Sequence, residues 1–135
     1  MMELSHTYKE WSKHMRKCAL EAGVPESYRP IIVFLVKNPG ANQKMLAEFL
    51  NNTTAAVNQT VKEMVANGYI MKVTDEADQR YTKLYLTDKG KEKAEQMRER
   101  LHRSDLIITS AIGADKEDEM IELLKSLCNI IKTEL

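Results

Sequence analysis

Asn58 and Gln59 are neighbouring carboxamides with Thr53, Thr54, Ala55 and Lys62 close by in sequence. A carboxamide offers an acceptor and two donors in one plane, so it can bond adenine N6 and N7 together in the major groove of a duplex. Thr53, Thr54 and Lys62 are suited to the phosphates flanking that groove, and Ala55 shares their outward side. Further along, Lys72 and Lys83 can track a phosphate backbone, and Arg80 can enter a narrow minor groove, where the potential is most negative. Asp78, two residues from Arg80, can hold its guanidinium in place. On residue types alone the bland reading is the stronger one: a solvated helix face beside an ordinary charged loop.

These side chains need elements to position them, and the stretch from Asn42 to Gly90 supplies them. Asn42 can cap a short helix with Met45, Leu46, Phe49 and Leu50 turned inward. Asn51-Asn52 reads as a corner, since asparagine is the non-glycine residue best able to adopt positive φ. Thr53 then caps a second helix with Val57, Val61, Met64 and Val65 inside, leaving Thr54, Ala55, Asn58, Gln59 and Lys62 outside. Asn67-Gly68 stops it. Tyr69 to Thr74 and Thr82 to Leu86 are rich in Val, Ile, Tyr and Thr around a polar tip, the pattern of a hairpin. A helix pair with a charged hairpin beside it is built to put one helix in a DNA groove and the hairpin in the next.

The flanking chain is helical. From 4 to 22, Leu4, Tyr8, Trp11, Met15, Cys18 and Ala22 recur every three or four residues, one helical stripe that ends at Gly23 and Pro25. Ser27 can cap the next helix, where Ile31, Ile32, Phe34, Leu35 and Val36 leave no clear polar face and so predict a central core helix. Asn38-Pro39-Gly40 ends it. Thr87 caps a long helix to about Ser110 with a stripe of Ala94, Met97, Leu101 and Ile108. Gly113 breaks the chain, and Asp115 is read as the cap of a last helix. That helix has two adjacent stripes: Met120, Leu123, Leu127 and Ile130, then Ile121, Leu124, Cys128, Ile131 and Leu135. One stripe can pack on its own chain and the second needs a partner, which points to a homodimer joined through the chain ends. The alternative is one wide face buried within the monomer.

Composition bounds the function. The chain has 135 residues and a formal net charge of zero, room for one ordinary domain and no general attraction to polyanions. The charge is uneven. Residues 115–135 hold six acids against three lysines, so the rest carries a surplus of three positive charges. No apolar run approaches the roughly 20 residues that span a bilayer, and the first residues lack a secretory pattern, so the expected location is cytoplasmic, away from membranes. Cys18 and Cys128, with His6, His14 and His102, do not supply a zinc-ligand spacing. Neither a nucleophile–base pair nor a phosphate-binding glycine loop is evident, so neither enzyme activity nor a cofactor or metal is expected.

At the hairpin the sequence becomes specific. Asp78-Gln79-Arg80, five residues, then Leu86-Thr87-Asp88-Lys89-Gly90 resembles the D-x-R-x5-L-T-x-x-G signature of the MarR family of winged helix-turn-helix transcriptional regulators. Leu46-Ala47-Glu48, Val57 and Val61, Asn67-Gly68-Tyr69-Ile70, Pro39-Gly40 and Gln43 resemble the same pattern. The resemblance implies a mainly α fold with a small β wing: one MarR-like domain over 1–135, its winged helix-turn-helix at about 31–90. Helices at about 4–22 and 91–135 would serve dimerisation. It implies a homodimeric repressor on a pseudo-palindromic double-stranded operator, released by a small phenolic or aromatic acid effector or by cysteine oxidation. Two positions depart from the pattern. Asn51-Asn52 stands where the family usually has glycine and an aliphatic residue, and Gln59 stands where arginine is frequent. A winged-helix protein–protein interaction module without DNA binding is the alternative reading.

For an effector, Trp11, His14, Met15, Tyr28, Arg29 and Met97 are the expected cavity lining, with Arg29 able to pair a carboxylate. Core and surface packing explains the same residues. Cys18 is the candidate redox thiol, with Arg16 and Lys17 near it to favour a thiolate, although a stripe cysteine is more often a small buried hydrophobe. Cys128 reads as packing.

Overall fold

The computed structural model describes residues 1–74 and 82–134. The elements run α1 (Met2–Glu21), α2 (Arg29–Lys37), α3 (Gln43–Phe49), α4 (Thr54–Ala66), β1 (Ile70–Thr74), β2 (Thr82–Leu86), α5 (Asp88–Ile112) and α6 (Ala114–Glu134). Asp78 and Arg80, the expected tip of the wing, lie outside the described residues, as does Leu135. The fold is mainly α with a small β wing, as the sequence predicts. Two compact units are present, Met1–Glu99 and Arg100–Leu135.

The first unit is built on one core. Ile31, Ile32 and Leu35 of α2, Leu46 of α3, Val61 and Met64 of α4, Ile70 of β1 and Leu84 of β2 are all but fully enclosed. The periods explain why these residues meet: α2 and α4 bury residues three and four apart, and β2 buries alternate residues Leu84 and Leu86. β1 and β2 pair antiparallel from Ile70 opposite Leu86 to Thr74 opposite Thr82. Ala41 adds a bridge to Leu84, with Gly40 N donating to Leu84 O and Leu84 N to Ala41 O, both at 2.9 Å. The wing root therefore has a third, one-residue edge just before α3, which periodicity cannot signal.

Several apolar residues do not point inward as expected. Val36, Met45, Phe49 and Val65 are exposed, Phe49 by 57% with its ring 4.7 Å from that of Phe34. α2 is consequently two-sided, with Val33 and Val36 on the outer face. Ser27 is not the cap of α2. Its N-cap is Tyr28, which makes no side-chain capping bond, and Pro30 occupies the first turn, where its missing N–H costs nothing.

Along α1 the stripe changes role: Tyr8 is 68% exposed, Trp11 and Met15 are half-buried, and Cys18, Ala19 and Ala22 are enclosed. The second unit has little interior. Gly113 takes φ +94 between α5 and α6, and Asp115 lies in the first turn of α6 rather than capping it, because the helix already begins at Ala114. No residue of α6 is buried, and Leu106, Ile107, Met120, Ile121, Leu123, Leu124, Ile130 and Ile131 are exposed. Cys128, expected to pack, is exposed in the single chain.

Candidate nucleic-acid interface

The geometry begins at the corner between α3 and α4. Asn51 takes φ +48, with Asn51 N donating to Glu48 O at 3.1 Å and Asn52 N to Ala47 O at 3.0 Å. This is a Schellman closure in which asparagine takes the left-handed position that glycine usually holds. Asn52 Oδ1 then accepts from Thr53 N at 2.8 Å, and Thr53 Oγ1 accepts from Ala56 N at 3.2 Å, capping α4. The cap uses an oxygen lone pair and leaves the Thr53 hydroxyl proton to donate outward. The α4 N-terminus, with its exposed N–H groups and positive dipole end, favours an anion beside Thr53, Thr54 and Ala55, all exposed.

One turn on, the two carboxamide side chains have partners on the protein. Asn58 is half-buried, and Gln43 Nε2 donates to its Oδ1 at 3.3 Å across from α3. Gln59 is exposed, and its Nε2 donates to Glu63 Oε1 at 3.0 Å. Lys62 is exposed beside them. Sequence reading did not give Gln43 and Glu63 these roles. The step of four from Gln59 to Glu63 carried the signal for the second; the first is a tertiary contact without a local signature.

The wing lysines are both exposed but do not share a face. Lys72 pairs opposite Leu84 and Lys83 opposite Val73, and directly opposed residues point to one side of a ribbon. Lys72 thus shares the face of Ile70 and Leu84, and Lys83 the outer face of Val73 and Tyr85. The wing exit explains its motif. Thr87 Oγ1 donates to Gly68 O and accepts from Gly90 N at 3.1 Å, while Thr87 N donates to Tyr69 O at 3.0 Å. A side chain at residue 90 would collide with the Tyr69 carbonyl oxygen, so the position needs glycine for close approach. Lys89 lies over the Tyr69 ring at 4.6 Å and donates to Asn67 O at 2.8 Å.

The expected effector residues divide. Trp11 and His14 stack obliquely with ring centroids 5.5 Å apart, and His14 Nε2 lies 3.5 Å from Cys18 Sγ. Arg29 Nη1 donates to Met15 Sδ at 3.8 Å, and its buried Nε has no hydrogen-bond partner among the described residues. Two separate groups of contacts result, Trp11–His14–Cys18 and Met15–Arg29. Tyr28 and Met97 belong to the core; Tyr28 Oη accepts from Asn67 Nδ2 at 2.8 Å, and its ring meets Tyr69 edge-on at 5.3 Å. Among the described residues no cluster of His, Cys, Asp or Glu could hold a metal ion, and no helix is long and apolar enough to cross a membrane.

Residues 22–80, which contain the corner, α4 and the first wing strand, match the model of the MarR family. Over that stretch the chain is similar to the MarR family. It is 30% identical over 95 residues to an uncharacterised HTH-type transcriptional regulator of Bacillus subtilis (strain 168), YybA, an alignment covering 69% of this chain and 62% of the relative. The chain thus matches somewhat less than two thirds of that relative's length. In fold it is similar to a crystal structure of a MarR family transcription regulator, with a TM-score of 0.85 at 16% identity, covering 95% of this chain and 85% of the other. It is also similar to the transcriptional repressor CouR bound to a 23-mer DNA duplex, with a TM-score of 0.77 at 20% identity, covering 93% and 89%. CouR has also been solved bound to p-coumaroyl-CoA, and that structure matches with a TM-score of 0.73 at 19% identity, covering 98% and 91%.

Proposed function

We propose that this chain is a MarR-family, sequence-specific DNA-binding transcriptional regulator that acts as a homodimeric repressor and is released by a small aromatic acid. The observation that carries the reading is the outward face of α4: a capped, anion-favouring N-terminus leads directly to two restrained carboxamides and a lysine. Phosphate contacts from Thr53, Thr54 and Lys62 would set the register, and Asn58 and Gln59 would read base edges. In a dimer the two α4 helices would enter successive major grooves about one turn, roughly 34–36 Å, apart on a pseudo-palindrome. Lys72 and Lys83 would follow the flanking backbone, and Arg80, held by Asp78, would enter the minor groove.

A second copy of the chain is supported by α6, none of whose apolar side chains is buried within the single chain. For the effector, the buried Arg29 Nε without a hydrogen-bond partner among the described residues, on a guanidinium that meets Met15, favours a carboxylate. Ligand release is favoured over thiol release, because Cys18 is 4% exposed and a peroxide must reach the sulfur. Cys128 is exposed, yet lies on the stripe that a partner copy would cover.

Two observations favour the second reading, a protein–protein module: the formal net charge is zero, and an acid, Glu63, stands on the outer ridge of α4. Selection from a randomised duplex pool followed by gel shift separates the two. A regulator enriches a pseudo-palindrome, and salicylate weakens the complex in wild type but not in Arg29→Ala. Recovery of no preferred sequence favours the module.

A further inference from the structure

We propose that Glu63 is a specificity-setting positioning residue: it holds the Gln59 carboxamide so that an acceptor and a donor face the base edges together. The inference rests on the DNA-reading function proposed above and adds the base preference of one position. Gln59 Nε2 donates to Glu63 Oε1 at 3.0 Å, one turn along the exposed ridge of α4. An ionised carboxylate can only accept, so only the NH2 end of Gln59 can face it, and Oε1 must point away. The amide nitrogen carries two hydrogens. With the one remote from Oε1 given to Glu63, the other lies beside Oε1 on the free edge. That paired acceptor and donor complement adenine N6–H and N7. A glutamine without this tether turns freely about its last torsion, which is broad, and presents either end.

The contrast with Asn58 sharpens the assignment. Its partner Gln43 is another carboxamide, at 3.3 Å, and such a pair can be reversed end for end with its hydrogen bond intact. Gln43 therefore fixes the plane of Asn58 without choosing the atom offered to the duplex. Glu63 fixes both for Gln59. The carboxylate also carries a cost, because a negative charge on this ridge repels phosphates. A merely solvated acid would show that repulsion and nothing else.

The test uses the full chain, a duplex selected by the wild-type protein, and variants of that duplex with each half-site position changed symmetrically. Glu63→Ala is expected to bind a scrambled duplex more tightly than wild type, since a repelling charge has gone. It is also expected to lose about tenfold of the discrimination between adenine and other bases at one half-site position. Glu63→Asp, which keeps an accept-only carboxylate one turn from Gln59, is expected to retain the discrimination. Glu63 is exposed, and matching thermal melts would show that both variants fold. Unchanged base preference in Glu63→Ala, with uniformly tighter binding, would overturn the proposal. Equal loss of discrimination in both variants would overturn the acceptor role. A wild-type protein that selects no sequence would overturn the DNA-reading function as well, an outcome distinct from either.

Discussion

At the scale of single residues, two positions carry the local geometry of the α3–α4 corner and the wing exit. Asn51 sits at φ +48 in the closure of α3, a conformation that costs a β-branched side chain about 1–2 kcal/mol or more and glycine nothing. Asn51→Gly should therefore leave stability unchanged or raise it by about 0.5 kcal/mol, and Asn51→Val should lower it by at least about 1 kcal/mol, read by urea denaturation. Gly90 packs against the Tyr69 carbonyl, so Gly90→Ala should cost about 1–3 kcal/mol in the same assay. Both positions were legible in the sequence, Asn51 from its tolerance of positive φ and Gly90 from its place in Leu86–Gly90. The collision that requires glycine at 90 was not, because it arises with the carbonyl of Tyr69, in a different element of the chain. Gln43 and Glu63 were hidden for a related reason: polar residues on a helix surface look alike until a partner is seen opposite them.

At the scale of elements, the order of helices and the hairpin followed from period, capping and turn residues. Asn42 and Thr53 are caps in the structure as their types predict, each accepting a backbone N–H three residues on. The apolar residues that were misplaced share one cause. Apolar character marks a residue that gains from burial but not the surface that buries it, and Val36, Met45, Phe49 and Val65 are turned outward. Ser27 and Asp115 failed as caps because the backbone enters helix beside them, at Tyr28 and Ala114. Thr53→Ala tests the α4 cap: it should lower stability by about 1 kcal/mol and weaken binding to selected and scrambled duplexes alike. A change in base preference would instead place Thr53 among the reading residues.

At the scale of the whole molecule, the unanswered question in the single chain is α6. An isolated helix of 21 residues is marginal in water, and this one has no buried residue to anchor it. Each leucine or isoleucine covered by a second copy would contribute about 1.5–3 kcal/mol, so the two stripes together favour association. Leu124 is exposed in the chain, and Leu124→Glu should therefore spare the first unit while shifting sedimentation from dimer to monomer. A Leu124→Glu protein that remains dimeric would move the interface elsewhere.

The central claim is that the α4 face reads sequence. Its most direct measurement is fluorescence anisotropy of the full chain on a selected duplex and a scrambled one across a salt series, for wild type and Gln59→Ala. The account predicts a strong preference of wild type for the selected duplex, with log affinity falling linearly against log salt on both. It also predicts that Gln59→Ala loses on the order of 1–3 kcal/mol on the selected duplex and almost nothing on the scrambled one. Equal wild-type affinity for the two duplexes at every salt concentration would contradict it.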